Sequence, residues 1–170
     1  MYTEINVFDY ANEVLKKMSP GLFLNTSFEG IDNTMIIGWG GINVEWGRPI
    51  FIVLVRDSRA TYDLIEKSGE FTVSVPMKNK LLREIGICGT KSLRDMDKFD
   101  VCNLTKVKGR KVNTPIIGEC NLHYECKVVY KQTLNASAIP GYITSRYYNN
   151  NAIHTVYYGE IIDQYLYDKE

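Results

Sequence analysis

Apolar residues recur at two spacings along the chain, and the spacing changes from helical to strand-like after residue 21. Between Tyr10 and Met18 the apolar side chains follow the three- and four-residue steps of an amphipathic helix. Asp9 is placed to cap this helix, and Pro20 with Gly21 ends it. The pattern therefore predicts one short helix ahead of the first strand.

A series of apolar segments of strand length follows, separated mainly by glycines and asparagine-rich turns. In residues 71–75 apolar side chains alternate with Thr72 and Ser74, which is typical of a strand with one face in a core. The predicted strands are Leu22–Ser27, Thr34–Trp39, Ile42–Trp46, Ile50–Val55, Phe71–Val75, Leu122–Tyr130 and Ile153–Tyr167.

Short helices are predicted between these strands. Residues 58–68 carry apolar side chains on one face, with Asp57 or Ser58 at the start and Gly69 as a stop signal. A second apolar group, centred on Ile85, predicts a helix that Gly86 closes.

The order of these elements decides the fold class. Closely spaced strands with short inserted helices favour a closed or nearly closed β-barrel, because closure removes exposed strand edges. Residues 147–151 are polar and predict a loop, and no linker-like tract divides the chain. We therefore expect a mainly β fold, a barrel with a few short helices, in one domain over residues 1–170.

Charge and composition narrow the classes of partner. The 20 Lys and Arg residues balance the 20 Asp and Glu residues, so no net field attracts a nucleic acid. No apolar stretch approaches the roughly 20 residues of a membrane-spanning helix, and Met1–Phe8 does not have the pattern of a secretory signal. We expect a cytoplasmic protein with neither a membrane nor a nucleic acid as partner.

The four cysteines suggest no metal site. Their spacing contains neither a C-x-x-C pair nor a zinc-finger arrangement, and the chain has only two histidines. In a reducing compartment such thiols pack as small apolar residues. We expect buried free thiols at Cys88, Cys102, Cys120 and Cys126.

A candidate phosphate site follows the strand that ends at Val55. Arg56, Ser58 and Arg59 bring two guanidinium groups and a hydroxyl to the start of a predicted helix, whose first N–H groups also attract anions. The alternative is that both arginines are solvated or paired with Asp57 and Asp63.

A candidate site for a flat ring lies at residues 33–41, where a strand runs into three glycines. Glycine lets a planar ligand approach the backbone closely, and exposed N–H and C=O groups then pair with a heterocycle edge. The alternative is a β-bulge with Trp39 packed in the core.

Several ordered motifs together resemble the flavin reductase-like, flavoredoxin family. The resemblance covers nearly the whole chain, and the order of the motifs matches as well as their residues. The motifs are Asn33–Gly41, Trp46–Pro49, Val55–Tyr62, Glu70–Pro76, Cys88–Ser92 and His154–Ile161.

The resemblance implies a split β-barrel that binds FMN at or near the interface of a homodimer. It places Arg56, Ser58 and Arg59 beside the phosphate, with Tyr62 close by, and it places His154 near the flavin ring. His154 has an alternative role as a rim histidine that bonds to a neighbour. The backbone and loop residues implied in flavin binding are Thr34, Ile36, Ile37, Gly38, Trp39, Gly40, Lys91 and Ser92.

One position departs from the family pattern. Glycine, arginine and aspartate are expected after Ser92, whereas this chain has Leu93 before Arg94 and Asp95. Leucine adopts positive φ at a higher cost than glycine, so the loop is expected to take another path.

Three functions remain after the sequence. The first is an enzyme that oxidises NAD(P)H and reduces FMN or a downstream acceptor such as a ferric complex. The second is an electron carrier with tightly bound FMN, a protein partner and no nicotinamide site, and the third is a barrel without flavin that serves as a binding module. The sequence has neither a G-x-S-x-G elbow nor a G-x-G-x-x-G fingerprint, so we expect no hydrolase and no Rossmann crevice.

Overall fold

Strands form most of the regular structure in the computed structural model, which describes residues 1–149 and 152–168. The strands are β1 Tyr2–Glu4, β2 Leu22–Phe28, β3 Ile31–Ile37, β4 Gly40–Glu45, β5 Arg48–Arg56, β6 Glu70–Val75, β7 Lys106–Val107, β8 Ile116–Ile117, β9 Leu122–Thr133 and β10 His154–Tyr167. The helices are α1 Ala11–Lys17, α2 Ala60–Ser68, α3 Leu82–Thr90, α4 Lys98–Val101 and α5 Gly141–Tyr147, with a 3-10 turn at Ala136–Ala138.

One antiparallel sheet of eight strands forms the body of the fold. Its order is β3-β2-β6-β9-β10-β5-β4, with β1 added to β10, while β7 and β8 form a separate ribbon. β3 and β4 are consecutive in the chain but lie at the two ends of this order, joined only by Gly38 and Trp39. We call this gap between the two edge strands the seam.

The barrel core confirms the strand pattern. Strands β2, β3, β5, β6, β9 and β10 contribute buried residues to one apolar cluster, together with Val14 of α1 and Ile65 of α2. Phe71, Val73 and Val75 of β6 point into this cluster, as their alternation predicted. Full burial of such side chains stabilises the fold by about 1.5 to 3 kcal/mol each. The mainly β prediction, a barrel with short helices, is confirmed.

A second apolar layer covers the outer side of β2. It joins Phe23 of β2 to α3, α4 and the segment around β8. The four cysteines are buried free thiols, as expected. Burial raises the pKa of the Cys88 thiol to about 12, so this thiol stays protonated at neutral pH.

The helix starts differ from the sequence prediction. Asp9 does not cap α1: the helix follows Tyr10 without a side-chain cap, and the Asp9 carboxylate accepts a hydrogen bond from the Asn6 N–H instead. Asp57 and Ser58 do not cap α2 either, because Arg59 occupies the cap position in extended conformation. These caps are absent because the backbone enters each helix later than the sequence suggested.

The helix ends give one confirmation and one correction. Gly69 stops α2 as predicted, with φ of 66° and its N–H bonded to the Ile65 carbonyl. Gly86 does not close α3, which begins at Leu82 and continues to Thr90. The helix persists through this glycine because Ile85 and Cys88, on either side of it, are buried in the second apolar layer.

Two further boundaries matter for the site. β3 ends at Ile37, so Trp39 lies outside the strand in which it was predicted. Helix α5 was not predicted, and it occupies the first residue of the predicted loop 147–151. Residues 150 and 151 of that loop lie outside the described residues.

Within the described ranges, no helix is long and apolar enough to cross a membrane.

Candidate functional site

A cleft opens at the seam. It encloses about 160 Å³ and is walled by the end of β3, by the outward side chain of Leu54 on β5, and by two arginines and a histidine. Its lining residues are Met35, Ile36, Ile37, Gly38, Trp39, Leu54, Arg56, Arg59 and His154. We call it the seam cleft.

A second, more polar cleft adjoins the first, because both are lined by Arg56 and Arg59. It measures about 460 Å³ and contains hydroxyl and guanidinium groups. Its lining residues are Arg56, Ser58, Arg59, Ser92, Arg94, Tyr147 and Asn149. We call it the polar cleft. Together the two clefts place the apolar side chains from the end of β3 and from Leu54 at one end, and guanidinium and hydroxyl groups at the other.

Arg59 lies where the two clefts meet. It is the N-cap residue of α2, so the first N–H groups of that helix lie beside it. Within the described residues its side chain makes no hydrogen bond or ion pair. Arg59 is therefore available to an anion that reaches the polar cleft.

Arg94 is a site residue that the sequence analysis did not single out. Its guanidinium donates to the Ser58 carbonyl over 3.0 Å and pairs with the Asp63 carboxylate over 3.1 Å. Asp63 therefore pairs with Arg94. It does not pair with Arg56 or Arg59, as the alternative from the sequence proposed. The signal of Arg94 in the sequence was its place two residues after Ser92, in the loop that departs from the family pattern.

The turn that carries Arg94 forms around Ser92. The Ser92 hydroxyl accepts from the Arg94 N–H over 3.2 Å, and the Ser92 carbonyl accepts from the N–H groups of Asp95 and Met96. Leu93 is not among the residues with positive φ. The turn thus accommodates leucine where the family pattern has glycine.

Arg56 supports the wall of the clefts. One terminal nitrogen donates to the Ala152 carbonyl over 2.9 Å and the other to the Tyr147 carbonyl over 2.7 Å. The guanidinium also lies over the Tyr148 ring, 5.3 Å from its centroid. Arg56 therefore holds both ends of the segment between α5 and β10 against the barrel.

His154 faces Arg56 across the β5–β10 pair and lines the seam cleft. Its Nδ1 lies 2.9 Å from the Tyr148 hydroxyl, and its ring lies 5.0 Å from that of Trp39. Burial, and then the positive charges of Arg56 and Arg59, lower the pKa of His154 to about 4. The imidazole is therefore neutral at pH 7.

Trp39 is a rim residue of the site. Its side chain is 40% exposed and packs edge-on against Tyr147, with 5.2 Å between the ring centroids. The alternative in which Trp39 belongs to the core is wrong, because the chain turns outward at Gly38 to cross the seam. Gly38 lines the cleft beside it.

Four residues implied by the resemblance do not line either cleft. Thr34 is fully buried in β3, and Tyr62 packs on the Tyr157 ring at 6.4 Å. Lys91 is exposed next to Ser92, and its carbonyl accepts from the buried Lys98 ammonium over 3.3 Å. The fourth, Gly40, has a role in the sheet. Their part in flavin binding stays a prediction.

The requirement for glycine at position 40 comes from strand pairing. Its φ is 117°, and an added Cβ would lie 2.1 Å from the carbonyl oxygen of Ile52. β4 begins at Gly40, opposite Val53 of β5. The close approach is thus between two strands of the sheet.

Comparison with known proteins places the chain among flavin-related proteins. The family model described as flavin reductase like domain matches residues 15–170. An uncharacterized protein of Archaeoglobus fulgidus is 35% identical over 97 residues, which are 57% of this chain and 54% of that protein. An uncharacterized protein of Pyrococcus abyssi is 38% identical over 76 residues, 45% of this chain and 42% of that protein. The matched part thus spans about half the length of these relatives.

Solved structures show the same fold. Flavoredoxin of Desulfovibrio vulgaris (Miyazaki F) superposes with a TM-score of 0.67 at 26% identity, over 85% of this chain and 67% of that one. Flavoredoxin from Methanosarcina acetivorans gives 0.66 at 27% identity, over 88% and 68% of the two chains. The FMN-binding domain of a flavin reductases-like enzyme from Shewanella baltica gives 0.70 at 21%, over 98% and 77%, a likeness of fold.

Proposed function

Because the chain belongs to the flavin reductase-like family, we propose that it is an FMN-dependent oxidoreductase that takes electrons from NAD(P)H. It passes them to flavin or to a downstream acceptor such as a ferric complex. The observation that carries this proposal is the pair of adjoining clefts at the seam. A cleft lined by apolar side chains of β3 and β5, next to one rich in guanidinium and hydroxyl groups, matches a ligand that carries a tricyclic ring and a phosphate on one chain.

The residues present fit FMN in a specific orientation. The seam cleft, lined by the end of β3, Leu54 and His154, would hold the ring. The polar cleft would hold the phosphate, where Ser58, Arg59 and Ser92 would supply donors and Arg94 would add positive charge. Arg56 lines both clefts. It remains a candidate phosphate contact, and it also holds the wall of the clefts.

The chemistry is divided between cofactor and protein. Bound FMN accepts a hydride and releases electrons singly or in pairs. The protein binds the phosphate, orients the ring and shields one side of the seam cleft with Trp39. NAD(P)H docks transiently on the open side of the seam cleft, because the sequence has no dinucleotide fingerprint.

A second candidate function is a flavoredoxin-type electron carrier that keeps FMN bound and exchanges electrons with a protein partner. It is favoured by the two flavoredoxin structures that match above 25% identity. In this case the open side of the seam cleft receives a protein surface and no nicotinamide.

We also propose that the protein is a homodimer, with a second copy seated on the outer face of β5 and β10. Three facing pairs follow this surface at two-residue steps: Ile52 with Tyr158, Leu54 with Val156, and Arg56 with His154. The last two pairs contribute Leu54, Arg56 and His154 to the seam cleft. The apolar face is therefore continuous with the site.

Exposed aromatic side chains extend the same face. Trp46 is 63% exposed at the tip of the β4–β5 hairpin, and it contacts the rings of Tyr130 and Tyr158 at 6.2 Å. A large exposed aromatic cluster is typical of a protein interface. A second copy covers this cluster and lies beside the seam cleft. Light scattering tests the proposal, and a monomer mass with FMN bound contradicts it.

The cytoplasm is the proposed location, since free buried thiols such as Cys120 persist in a reducing compartment.

An anaerobic absorption experiment tests the function. The purified chain is mixed with FMN, freed of excess flavin on a sizing column, and treated with NADH and then NADPH. Retained yellow colour with bleaching by either nucleotide supports the enzyme. Retained colour without bleaching by either supports the carrier. A colourless protein that does not quench FMN fluorescence contradicts both functions and leaves the binding module.

A further inference from the structure

The Tyr148–His154 pair has a geometry that decides the protonation pattern of His154. The Tyr148 hydroxyl is 2.9 Å from Nδ1, and both side chains are buried. Tyr148 follows α5, and the Arg56 bonds to Tyr147 and Ala152 hold its segment. The tyrosine is therefore presented to the histidine by a fixed support.

Which partner donates this hydrogen bond follows from the other acceptors available to each proton. Among the described residues, the Tyr148 hydroxyl has no acceptor other than Nδ1 of His154. If Nδ1 carried the proton, the buried tyrosine proton would have no acceptor, at a cost of about 1 to 3 kcal/mol. Burial also raises the pKa of Tyr148, so its hydroxyl keeps the proton that it donates.

Nε2, the other ring nitrogen of His154, is then available to a ligand in the seam cleft. The imidazole is neutral and Nδ1 accepts, so Nε2 carries the single ring proton. Within the described residues Nε2 has no hydrogen-bond partner, and His154 lines the seam cleft. An N–H donor is thus left for a ligand.

We infer that Tyr148 is a positioning residue that holds His154 as the Nε2–H tautomer, so that His154 donates a hydrogen bond to an acceptor atom of the ligand in the seam cleft. The acceptor is a carbonyl oxygen or an unprotonated ring nitrogen of a planar heterocycle. The tautomer follows from contacts within the chain alone, whereas the identity of the ligand rests on the proposed function.

The charged groups around His154 support a neutral donor across the working pH range. Arg56 faces it from β5, Arg59 from the start of α2, and Tyr148 from the segment after α5. Among the described residues, two arginines and no carboxylate contribute to the charge at the ring. The positive charges of Arg56 and Arg59 therefore disfavour protonation of His154.

The test is side-chain ¹⁵N NMR of the two imidazoles in flavin-free protein at pH 7. His123 is an internal reference, because its Nε2 lies 3.1 Å from the Cys120 carbonyl, which can only accept. His123 must therefore be the Nε2–H tautomer. We expect His154 to give the same pattern as His123, with one protonated and one hydrogen-bonded unprotonated nitrogen. A protonated Nδ1 in His154 overturns the inference.

Tyr148→Phe removes only the hydroxyl. We expect the Nδ1 resonance of His154 to move to that of an unbonded nitrogen, with unchanged His123 signals as evidence of an intact fold. Tyr147→Phe is the matched control, since Tyr147 contacts Trp39 with its ring and should leave His154 unchanged. If Tyr148→Phe leaves Nδ1 of His154 unmoved, Tyr148 does not position it.

Addition of FMN separates this inference from the proposed function. Fluorescence quenching reports whether flavin binds at all. If it binds, the Nε2 resonance of His154 should move while that of His123 stays. Flavin binding without movement at His154 overturns the donor assignment. Absence of flavin binding contradicts the proposed function, and the flavin-free spectra still decide the tautomer.

Discussion

Arg56 and His154 stand directly opposite each other in the pairing of β5 with β10, and both side chains line the seam cleft. One of them holds the wall of the cleft, and the other presents a ring nitrogen to it. The site thus contains residues that shape it and residues that are available to contact a ligand.

Arg59→Ala tests the phosphate contact. A charge-assisted hydrogen bond contributes about 1.5 to 3 kcal/mol, so FMN affinity should fall about ten- to a hundredfold. Riboflavin, which has the same ring and no phosphate, should bind unchanged. Fluorescence titration with both flavins is the measurement, and Lys67→Ala, at the other end of α2, is the control. Equal loss of both flavins would remove the phosphate assignment.

Ser58→Ala and Arg94→Ala separate the donors of the polar cleft. Ser58→Ala should reduce FMN affinity less than Arg59→Ala does, and riboflavin should again be unaffected. Arg94→Ala also loses the bond to the Ser58 carbonyl and the pair with Asp63, so it should weaken FMN by up to about tenfold. An FMN affinity that Arg94→Ala leaves unchanged would place Arg94 outside the site.

Arg56→Ala should behave differently from Arg59→Ala. The two carbonyls that it holds lose their donors, so the segment around Tyr148 is released from the cleft wall. We expect both flavins to lose affinity by about tenfold or more, with the larger loss for FMN because Arg56 is also a candidate phosphate contact. Arg48→Ala, which breaks an exposed pair with Glu160, is the control. Loss confined to FMN would assign Arg56 to the phosphate alone.

Gly40→Ala tests the close approach of β4 to β5. The new Cβ meets the Ile52 carbonyl, and alanine is strained at φ of 117°, so unfolding free energy should fall by about 2 kcal/mol or more. Gly86→Ala is the matched control, because its Cβ meets nothing within 4 Å inside α3. That change should raise stability by about 0.5 to 1 kcal/mol. Denaturant unfolding measures both, and a neutral Gly40→Ala would contradict the geometry.

The loss of folding stability at acidic pH should depend on His123. Complete burial lowers its pKa to about 3, whereas the unfolded chain binds the proton near pH 6.5. Above that pH neither state is protonated. Below it only the unfolded state gains the proton, so stability falls by about 1.4 kcal/mol per pH unit down to the folded pKa. His123→Gln should flatten this slope between pH 6 and about 4, whereas Tyr147→Phe should not.

The barrel was accessible from the sequence because its signals are local. The β6 strand and the Gly69 stop each depend on signals within a few residues, and both appear as predicted, except that Thr72 and Ser74 on the other face of β6 are buried as well. Helix α3 was shortened in the prediction because the burial of Cys88 against β2 depends on distant residues. Helix α5 was missed because it has no buried residue and hence no apolar period.

The sequence predicted which residues line the clefts better than it predicted the contacts that arrange them. The motif around Arg56 and the glycines near Trp39 include residues that line the two clefts, and Ser92 joins Arg59 in the polar cleft. The carbonyl bonds of Arg56 and the contact of Arg94 with Ser58 link segments far apart in the chain. No spacing rule encodes such long-range pairs.

A ligand in the seam cleft would bind beside an edge strand of the sheet. In the described part of the chain, β3 and β4 are the two ends of the strand order, and free strand edges are where sheets recruit foreign strands. A ligand seated against the end of β3 covers that edge and adds about 2.7 kcal/mol at a hundredfold excess over its Kd. Under the proposed function, FMN would then protect this edge against aggregation, and the flavin-free protein would be less stable than the flavin-bound protein.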